Sequence, residues 1–153
     1  MLTYHEVNSL CYREIPFGLN MNKASKNPLP VYIVNFDRGC NKCKILHKAY
    51  PNLFNPDFPA VVTEKSYLDL FPPERLVYLT PDSRTDLCEY NADDVYIVGG
   101  IVEMANDVPY TLSKAKKQGI RHARLPIKRT VGYRINIFKS NRIISQIISY
   151  PKT

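Results

Sequence analysis

Two glycines and a carboxylate are the residues of this chain whose types and spacing first point to chemistry. Gly99 and Gly100 end the apolar run VYIVGG, and Glu103 follows three residues later. Because glycine has no Cβ, the backbone there can approach a ligand closely or take a positive φ, although a tight turn has the same requirement. The pattern is neither GxGxxG nor GxxxxGK, so it does not indicate a dinucleotide fold or a P-loop. Glu103 is either a carboxylate facing a ligand or a solvated side chain at a loop end.

A second carboxylate stands in the turn sequence TPDS. Asp82 could position a ligand there. It could equally bond only the backbone N–H groups of its own turn, as aspartate commonly does in a Pro-Asp-Ser sequence. Both interpretations stay open at the level of the sequence.

Three potential metal ligands or reactive groups lie in the sequence CNKCKILH. Cys40, Cys43 and His47 have a zinc-like spacing but are one ligand short of a four-coordinate structural site. A CxxC pair that opens a helix is also typical of thioredoxin-like redox chemistry. The aromatic residue expected before the first cysteine is absent, however. We therefore expect no metal, and two half-buried thiols on a helix.

The elements that must position these residues alternate between short apolar runs and helical segments. This alternation predicts an α/β fold with a mostly parallel sheet and helices on both faces. Ligands of such sheets bind beyond the carboxyl ends of the strands, so the loops LTPDS, GGIVE and LPIK should converge into a pocket. The predicted strands cover 31–36, 60–63, 75–80, 94–100 and 121–126. The predicted helical segments cover 40–50, a turn capped by Thr63 or Ser66, a weak segment at 84–91, 111–119 with Thr111 as N-cap and Gly119 as C-terminal stop, and 139–150.

Length and composition indicate a globular protein. The 153 residues, 44% of them hydrophobic, fit one domain. We assign residues 1–29, which lack a sustained period, to an irregular N-terminal arm and residues 30–153 to the domain itself. No apolar run approaches the ~20 residues of a membrane span, and the first residues lack the pattern of a signal or transit peptide. Four scattered cysteines do not form a disulfide framework and favour a reducing compartment.

The net charge of +7 is unevenly distributed along the chain. Residues 1–107 hold all 14 acids and 10 Lys or Arg, whereas residues 108–153 hold 11 Lys or Arg and no acid. Such a basic segment favours a polyanionic partner, above all nucleic acid, because neutralising phosphates releases counterions. A solvated basic face, an anionic membrane and a protein contact are the alternatives.

Three segments together resemble the SPOUT-class tRNA methyltransferases that modify N1 of the purine at position nine, and within them the mitochondrial ribonuclease P branch. The segments are TEKSYLDLFPPERLVYLTPDS (63–83), DVYIVGGIVE (94–103) and LSKAKKQGIRHARLPI (112–127). The likeness covers about residues 30–127 in order and spacing. It implies a SPOUT-like α/β domain with a C-terminal trefoil knot, S-adenosylmethionine held in the knot, and tRNA as substrate.

The resemblance also implies which residues act. Glu103 takes the place of the family's catalytic aspartate, and Asp82 is a second candidate. A glutamate of ordinary pKa, about 4.3, is poorly matched to the N1 proton of guanine, so Glu103 would orient the base or stabilise charge. The S-adenosylmethionine would be held by Leu79, Thr80, Gly99, Gly100, Leu125, Pro126 and Ile127. The tRNA would be held by Lys114, Lys116, Lys117, Arg121, Arg124, Lys128, Arg129 and Arg134.

By the same resemblance, we expect a mitochondrial protein that works with precursor tRNA and with the short-chain dehydrogenase and metallonuclease subunits of ribonuclease P, and does not bind a membrane. Lys128 stands where family members carry an acid, and Glu103 is longer than their aspartate. The family's opening strand has no clear equivalent in residues 1–29, and its last helical segment would lie beyond Thr153, so we expect a fold incomplete at both ends. The alternative function is a catalytically weakened scaffold subunit that still binds tRNA.

Overall fold

The computed structural model describes residues 19–20, 22–99, 109–125 and 146–149. The described strands are β1 (Tyr32–Val34), β2 (Val61–Val62), β3 (Leu76–Leu79), β4 (Val95–Gly99), β5 (Arg121–Ala123) and β6 (Gln146–Ser149). The described helices are α1 (Asn41–Ala49), α2 (Tyr67–Leu70) and α3 (Tyr110–Gln118), with a 3₁₀ turn at Pro73–Arg75. None of these described helices is long and apolar enough to cross a bilayer.

The six strands form one parallel sheet in the order β2-β1-β6-β4-β3-β5. β6 comes last in the chain but lies at the centre, where it pairs with β1 through Ile147 and Tyr32 and with β4 through Ser149 and Gly99. β1, β6, β4 and β3 each have a neighbour on both sides, so the described sheet contains no unpaired interior strand. The predicted parallel α/β sheet is confirmed.

Side chains of alternate strand residues pack on opposite faces of the sheet. On β1, Ile33 packs with Leu46 of α1. The next residue, Val34, packs with Tyr67 of α2 and Ala115 of α3. Both faces are therefore buried beneath helices, as predicted, and the strands read as near-continuous apolar runs for this reason.

The final helix predicted over residues 139–150 is wrong where the structure describes that segment. Gln146–Ser149 is the central strand β6. Isoleucines at 143, 144, 147 and 148 fit one face of a helix. A short apolar run in a central parallel strand gives the same pattern, because both faces of such a strand are covered. β-branched isoleucine favours the strand.

Two smaller predictions are also wrong. α3 begins at Tyr110 after Pro109 as N-cap, so Thr111 lies inside the first turn. Its hydroxyl does not cap the helix because it donates a hydrogen bond to Thr80. Residues 84–91 form no helix, and they run instead beside the end of β5, where Asp86 and Arg124 form an isolated parallel bridge.

Two helix ends follow the predicted capping chemistry. The Ser66 hydroxyl accepts a hydrogen bond from the Leu68 N–H (3.2 Å), and the Asp69 carboxylate accepts one from the Ser66 N–H (3.0 Å). This reciprocal capping box begins α2. Gly119 ends α3 with φ of 66°, in the left-handed region that glycine adopts without strain.

The described part of the predicted N-terminal arm is held against the domain. Leu19 is buried in the same core cluster as Ile33. The Asn22 side-chain NH₂ donates to the Leu29 carbonyl (2.7 Å). Asn22 Oδ1 accepts from the Leu29 N–H (2.9 Å). The boundary between residues 29 and 30 stays a prediction.

Candidate active site

The carboxyl ends of three strands lie side by side in the order β4, β3, β5. Leu79 is in register with Val98 on one side and Ala123 on the other. Leu125 packs against the cluster that contains Leu79 and Ala123. Four residues predicted to hold S-adenosylmethionine lie at this one edge of the sheet, where ligands of parallel sheets bind. They are Leu79, Thr80, Gly99 and Leu125.

Gly99 ends β4 in a crowded position. A Cβ added to it would lie 3.0 Å from Thr111 Cγ2 and 3.2 Å from the Tyr78 hydroxyl oxygen. The φ of Gly99 is outside the left-handed region. Among the described glycines, Gly119 has a φ in that region. Glycine is needed here because two neighbouring side chains leave no room for a Cβ, and the positive φ considered from the sequence does not occur.

A buried pair of hydroxyl groups joins the end of β3 to the start of α3. Thr111 Oγ1 donates to Thr80 Oγ1 over 2.7 Å, and both side chains are almost fully buried. The Thr80 backbone N–H continues the sheet by donating to the Ala123 carbonyl (2.9 Å). The Thr80 carbonyl accepts from the Ser83 N–H (3.3 Å), so the side chain and the backbone of Thr80 are both engaged within the protein.

The loop after β3 is fixed to the end of β5 by several hydrogen bonds. The buried Ser83 hydroxyl lies 2.9 Å from His122 Nδ1 and also accepts from the Thr85 N–H at 3.1 Å. The Arg124 N–H donates to the Thr85 carbonyl (2.8 Å), and the Arg124 guanidinium bonds the carboxylate of Asp86. The described loop after β3 is therefore tied to β5 by hydrogen bonds within the protein, and such pre-organisation would lower the entropic cost of binding a ligand.

Asp82 is an exposed member of the turn after β3. Its backbone N–H lies 3.4 Å from Thr80 Oγ1, which keeps the turn close to the hydroxyl pair. The structure thus places Asp82 at the predicted edge. Its role toward a ligand stays a prediction.

Seven of the predicted site residues lie outside the described residues. They are Gly100, Glu103, Pro126, Ile127, Lys128, Arg129 and Arg134. Their roles stay predictions from the resemblance.

Arg121, predicted to bind tRNA, lies at the amino edge of the sheet. It begins β5, and its guanidinium bonds the Asp94 carboxylate (2.6 Å) and the Glu74 carbonyl (2.6 Å). The hydrogen bond to Asp94 raises the pKa of Arg121. The strand-end loops are at the opposite edge, so this arginine does not line the candidate site.

The lysines of α3 lie along a helix that leads away from the carboxyl edge. The helix runs from Thr111 at the carboxyl edge back to Ile120, which leads into β5. Burial lowers the pKa of Lys114, whose ammonium lies 5.7 Å from the centre of the Tyr67 ring. Lys116 and Lys117 are exposed in the last turn. Of the described cations predicted for tRNA, Arg124 alone lies at the carboxyl edge, and Asp86 pairs with it.

Cys43 of α1, next to the N-cap Cys40, does not have the properties of a redox centre. Burial, reinforced by the neighbouring Cys40, raises the pKa of the Cys43 thiol to about 11. A thioredoxin-like site lowers a thiol pKa to generate the reactive thiolate, so the shift has the opposite direction. In the part of the chain that the structure describes, no three His, Cys, Asp or Glu side chains are grouped to hold a metal ion.

Four side chains that shape this edge are absent from the predicted site: Tyr78, Ser83, Thr111 and His122. Their contacts join residues 31 and 39 positions apart in the chain. Local sequence patterns do not report such pairings. The one available signal was the position of Ser83 beside Asp82, in a loop already assigned to the site.

One cavity of about 210 Å³ lies elsewhere, between the N-terminal segment and the loop after α1. Its walls are formed by Leu19, Asn20, Lys23, Tyr50, Asn52, Asp57, Phe58 and Pro59. None of the residues predicted to bind S-adenosylmethionine lines it.

The parallel sheet and its three adjoining strand ends define the class of protein. The crystal structure of full-length spTrm10 in complex with SAH matches 92% of this chain and 77% of that chain, with a TM-score of 0.80 and 28% sequence identity. The fold is therefore the SPOUT-class α/β fold, as predicted. The trefoil knot stays a prediction.

Within this class, the family model for tRNA (guanine(9)-N(1))-methyltransferase TRM10/TRM10A matches residues 1–147, and the chain belongs to that family. The mitochondrial ribonuclease P protein 1 homolog of Drosophila melanogaster is 37% identical over 135 residues, which are 86% of this chain and 30% of that protein. The tRNA methyltransferase 10 homolog B of Danio rerio is 46% identical over 129 residues, which are 82% of this chain and 40% of that protein. The chain thus spans between 30% and 40% of the length of these two curated relatives.

Proposed function

We propose that this chain transfers the methyl group of S-adenosylmethionine to N1 of guanine at position nine of tRNA. The observation that carries the proposal is the match of the guanine-9 methyltransferase family model across residues 1–147. The SAH in the complex of the structural neighbour is the demethylated form of this donor, which agrees with the proposed reaction.

The described residues fit such a donor. Leu79 and Leu125 give one apolar cluster at the carboxyl edge, and Gly99 keeps the neighbouring strand end free of a side chain. The Thr80–Thr111 and Ser83–His122 contacts hold the loop after β3 in place. S-adenosylmethionine would supply an electrophilic methyl group there, and these loops would supply its orientation.

Glu103 would act on the guanine. When N1 bonds to the methyl carbon, the carbon–sulfur bond breaks and the N1 proton must leave. A carboxylate of ordinary pKa is a weak acceptor for that proton but can hold the base in line and stabilise developing positive charge. The proton then passes to solvent, with Glu103 as a positioning and electrostatic group.

The finer setting is part of the same proposal. The relative from Drosophila melanogaster is named for mitochondrial ribonuclease P. We infer that this chain serves tRNA 5′-end processing in mitochondria, together with the short-chain dehydrogenase and metallonuclease subunits that the resemblance implies. Co-purification of these two subunits with the chain from mitochondria is the expected result.

The test is methyl transfer from labelled S-adenosylmethionine to an unmodified tRNA transcript. We expect label at position nine when guanine stands there, and none when position nine is cytosine, which lacks a purine N1 site. The modified position is read by nuclease digestion and mass spectrometry. Label at another position, or none at all from a chain that binds the cofactor and tRNA, would contradict the proposal.

Two substitutions test the assigned carboxylate. Glu103→Ala should lower the rate about a hundredfold, the scale that misplacement of a reacting group by ~1 Å can produce. Glu103→Asp, which restores the family's residue, should keep at least the original rate. Equal rates for Glu103→Ala and the unchanged chain would remove Glu103 from the mechanism.

The alternative function is a tRNA-binding scaffold. Two departures from the family's pattern support it: Lys128 stands where family members carry an acid, and Glu103 stands where they carry the catalytic aspartate. Calorimetry with SAH separates the two functions. A chain that binds tRNA but not SAH is a scaffold, and a chain that binds both is equipped for methyl transfer.

A further inference from the structure

A second basic segment lies in the amino-terminal half of the chain. The net charge summed over residues 1–107 hides it, because acids later in that range cancel its charge. Residues 15–56 contain one acid, Asp37, whereas residues 57–107 contain eleven. The same first segment contains six cations, which are Lys23, Lys26, Arg38, Lys42, Lys44 and Lys48. A basic region therefore lies in the amino-terminal half, apart from the cations near the C-terminus.

An exposed aromatic ring stands within this region. The guanidinium carbon of Arg38 lies 4.2 Å from the centre of the Phe54 ring, which is cation–π geometry. The rings of Phe36 and His47 meet Phe54 edge-on, with centroids 5.4 Å and 5.2 Å away. Phe36 is buried, whereas 38% of Phe54 is exposed and Arg38 and His47 are both at the surface. Phe54 is thus held by three neighbouring side chains and is still partly exposed to solvent.

The helix beside this ring adds exposed cations. Lys44 and Lys48 lie on the solvent side of α1, the same helix that carries His47. Asp37, the one acid of the segment, uses its carboxylate to accept the Gly39 N–H at 2.8 Å within the loop. We call Arg38, Lys44, His47, Lys48 and Phe54 the Arg38–Phe54 surface.

The Arg38–Phe54 surface adjoins the edge that carries the candidate active site. Arg38 follows the carboxyl end of β1, and all strands of the sheet are parallel. β6 alone separates β1 from β4, and neighbouring strands lie ~4.8 Å apart, so β1 and β4 are about 10 Å apart. An RNA strand that delivers a base to the carboxyl end of β4 can therefore extend over the end of β1.

The combination of groups favours RNA as the occupant. Phosphates alone would be held by lysines without an exposed ring. Single-stranded RNA is recognised by stacking unpaired bases on aromatic rings or on arginine guanidinium planes, with cations along the backbone. A guanidinium already stacked on a partly exposed ring offers such a platform.

We propose that the Arg38–Phe54 surface binds an unpaired nucleotide of the RNA substrate, whose base stacks on the Phe54–Arg38 pair while Lys44 and Lys48 contact flanking phosphates. The inference rests on the proposed function, because it takes tRNA to be the substrate. It assigns to the amino-terminal half a contact that the basic segment near the C-terminus does not supply.

The experiment measures the affinity of the 153-residue chain for a fluorescently labelled, unmodified tRNA transcript at several salt concentrations. Phe54→Leu removes the aromatic face but keeps an apolar side chain, and should weaken binding about fivefold or more with the same salt dependence. Arg38→Gln should weaken binding and lower the slope of log affinity against log salt by about one. SAH affinity should be the same in every variant, which excludes a general loss of folding.

Matched controls come from the same chain. Tyr90 has the same exposed fraction as Phe54, 38%, and Lys65 is an exposed cation outside the Arg38–Phe54 surface. Tyr90→Leu and Lys65→Gln should leave tRNA affinity and its salt slope unchanged. Equal tRNA affinity of Phe54→Leu and the unchanged chain would overturn the inference, as would equal losses in the two controls. Failure of the unchanged chain to bind tRNA would overturn the proposed function itself.

Discussion

At the scale of single residues, Gly99 shows that a glycine predicted to bind a ligand can be required by the protein's own packing. The sequence left open a close approach of backbone to a ligand, a positive φ and a tight turn, whereas the structure shows Thr111 and Tyr78 filling the space that a Cβ would need. The glycine itself stands out in the sequence at the end of an apolar run. The side chains that leave no room for a Cβ belong to α3 and β3, and no local sequence pattern predicts their contact with Gly99.

Gly99→Ala should lower the free energy of unfolding by about 1–3 kcal/mol, because the new methyl overlaps Thr111 Cγ2. Thr111→Ser deletes that methyl and keeps the hydroxyl that bonds Thr80. Urea unfolding of the two single variants and the double variant should therefore show partial rescue. As control, Gly119→Ala is strained by its φ of 66° and meets no neighbouring atom, so Thr111→Ser should not change its cost. Strictly additive costs for Gly99→Ala and Thr111→Ser would refute this account.

Cys43 makes stability depend on alkaline pH. Burial raises its pKa to about 11 from 9.0, so between these values the unfolded thiol has ionised while the folded thiol is still protonated. The folded state then binds more protons, and the free energy of unfolding falls as pH rises from 9 to 11. Tyr67, whose pKa burial raises to about 12, adds to the fall above pH 10.

Cys43→Ala should flatten the fall in stability between pH 9 and pH 11, whatever its constant cost from the lost packing. Denaturant unfolding at pH 8, 9, 10 and 11 measures the slope. Cys88→Ala is the control, since Cys88 is an exposed cysteine. Identical slopes for Cys43→Ala and the unchanged chain would show that the thiol ionises alike in both states.

At the scale of elements, the sequence predicted the type of most strands and helices because apolar runs and capping residues are local. Ser66 and Gly119 were identified from their own chemistry and their neighbours. The exceptions were residues 84–91, which form no helix, and β6, since a short run of isoleucines has the same spacing in a buried strand as on a helical face. The place of β6 between β1 and β4 depends on pairing with residues 50 positions earlier in β4 and 115 positions earlier in β1.

Removal of β6 should lower the stability of the fold strongly, although β6 lies near the end of the chain. A chain ending at Ser145 leaves β1 and β4 with unpaired N–H and C=O groups at the centre of the sheet. A chain ending at Tyr150 keeps every described pairing. Circular dichroism during thermal unfolding should show a cooperative transition for the longer chain and none for the shorter. The same transition in both would contradict a central β6.

At the scale of the whole molecule, the two ends of the parallel strands differ in their residues. The candidate site lies at the carboxyl ends, and an ion pair lies at the amino ends. The carboxyl ends of β4, β3 and β5 lie side by side at one edge, where the sequence predicted the site. The amino edge carries Arg121 with Asp94 as its partner, so an arginine predicted to bind tRNA has a structural contact there. The distribution of charge along the chain did not reveal this division. α3 crosses the sheet from the carboxyl edge to the amino edge, so residues close in sequence lie at different edges.

The central claim is that the loops at the carboxyl edge hold the methyl donor. Hydrogen–deuterium exchange with and without saturating SAH tests it directly on the 153-residue chain. Exchange should slow in peptides covering residues 79–87 and 121–125 and stay unchanged in α1. Unchanged exchange at residues 79–87 in a chain that calorimetry shows to bind SAH, or slowing confined to the cavity beside Leu19 and Phe58, would contradict the claim.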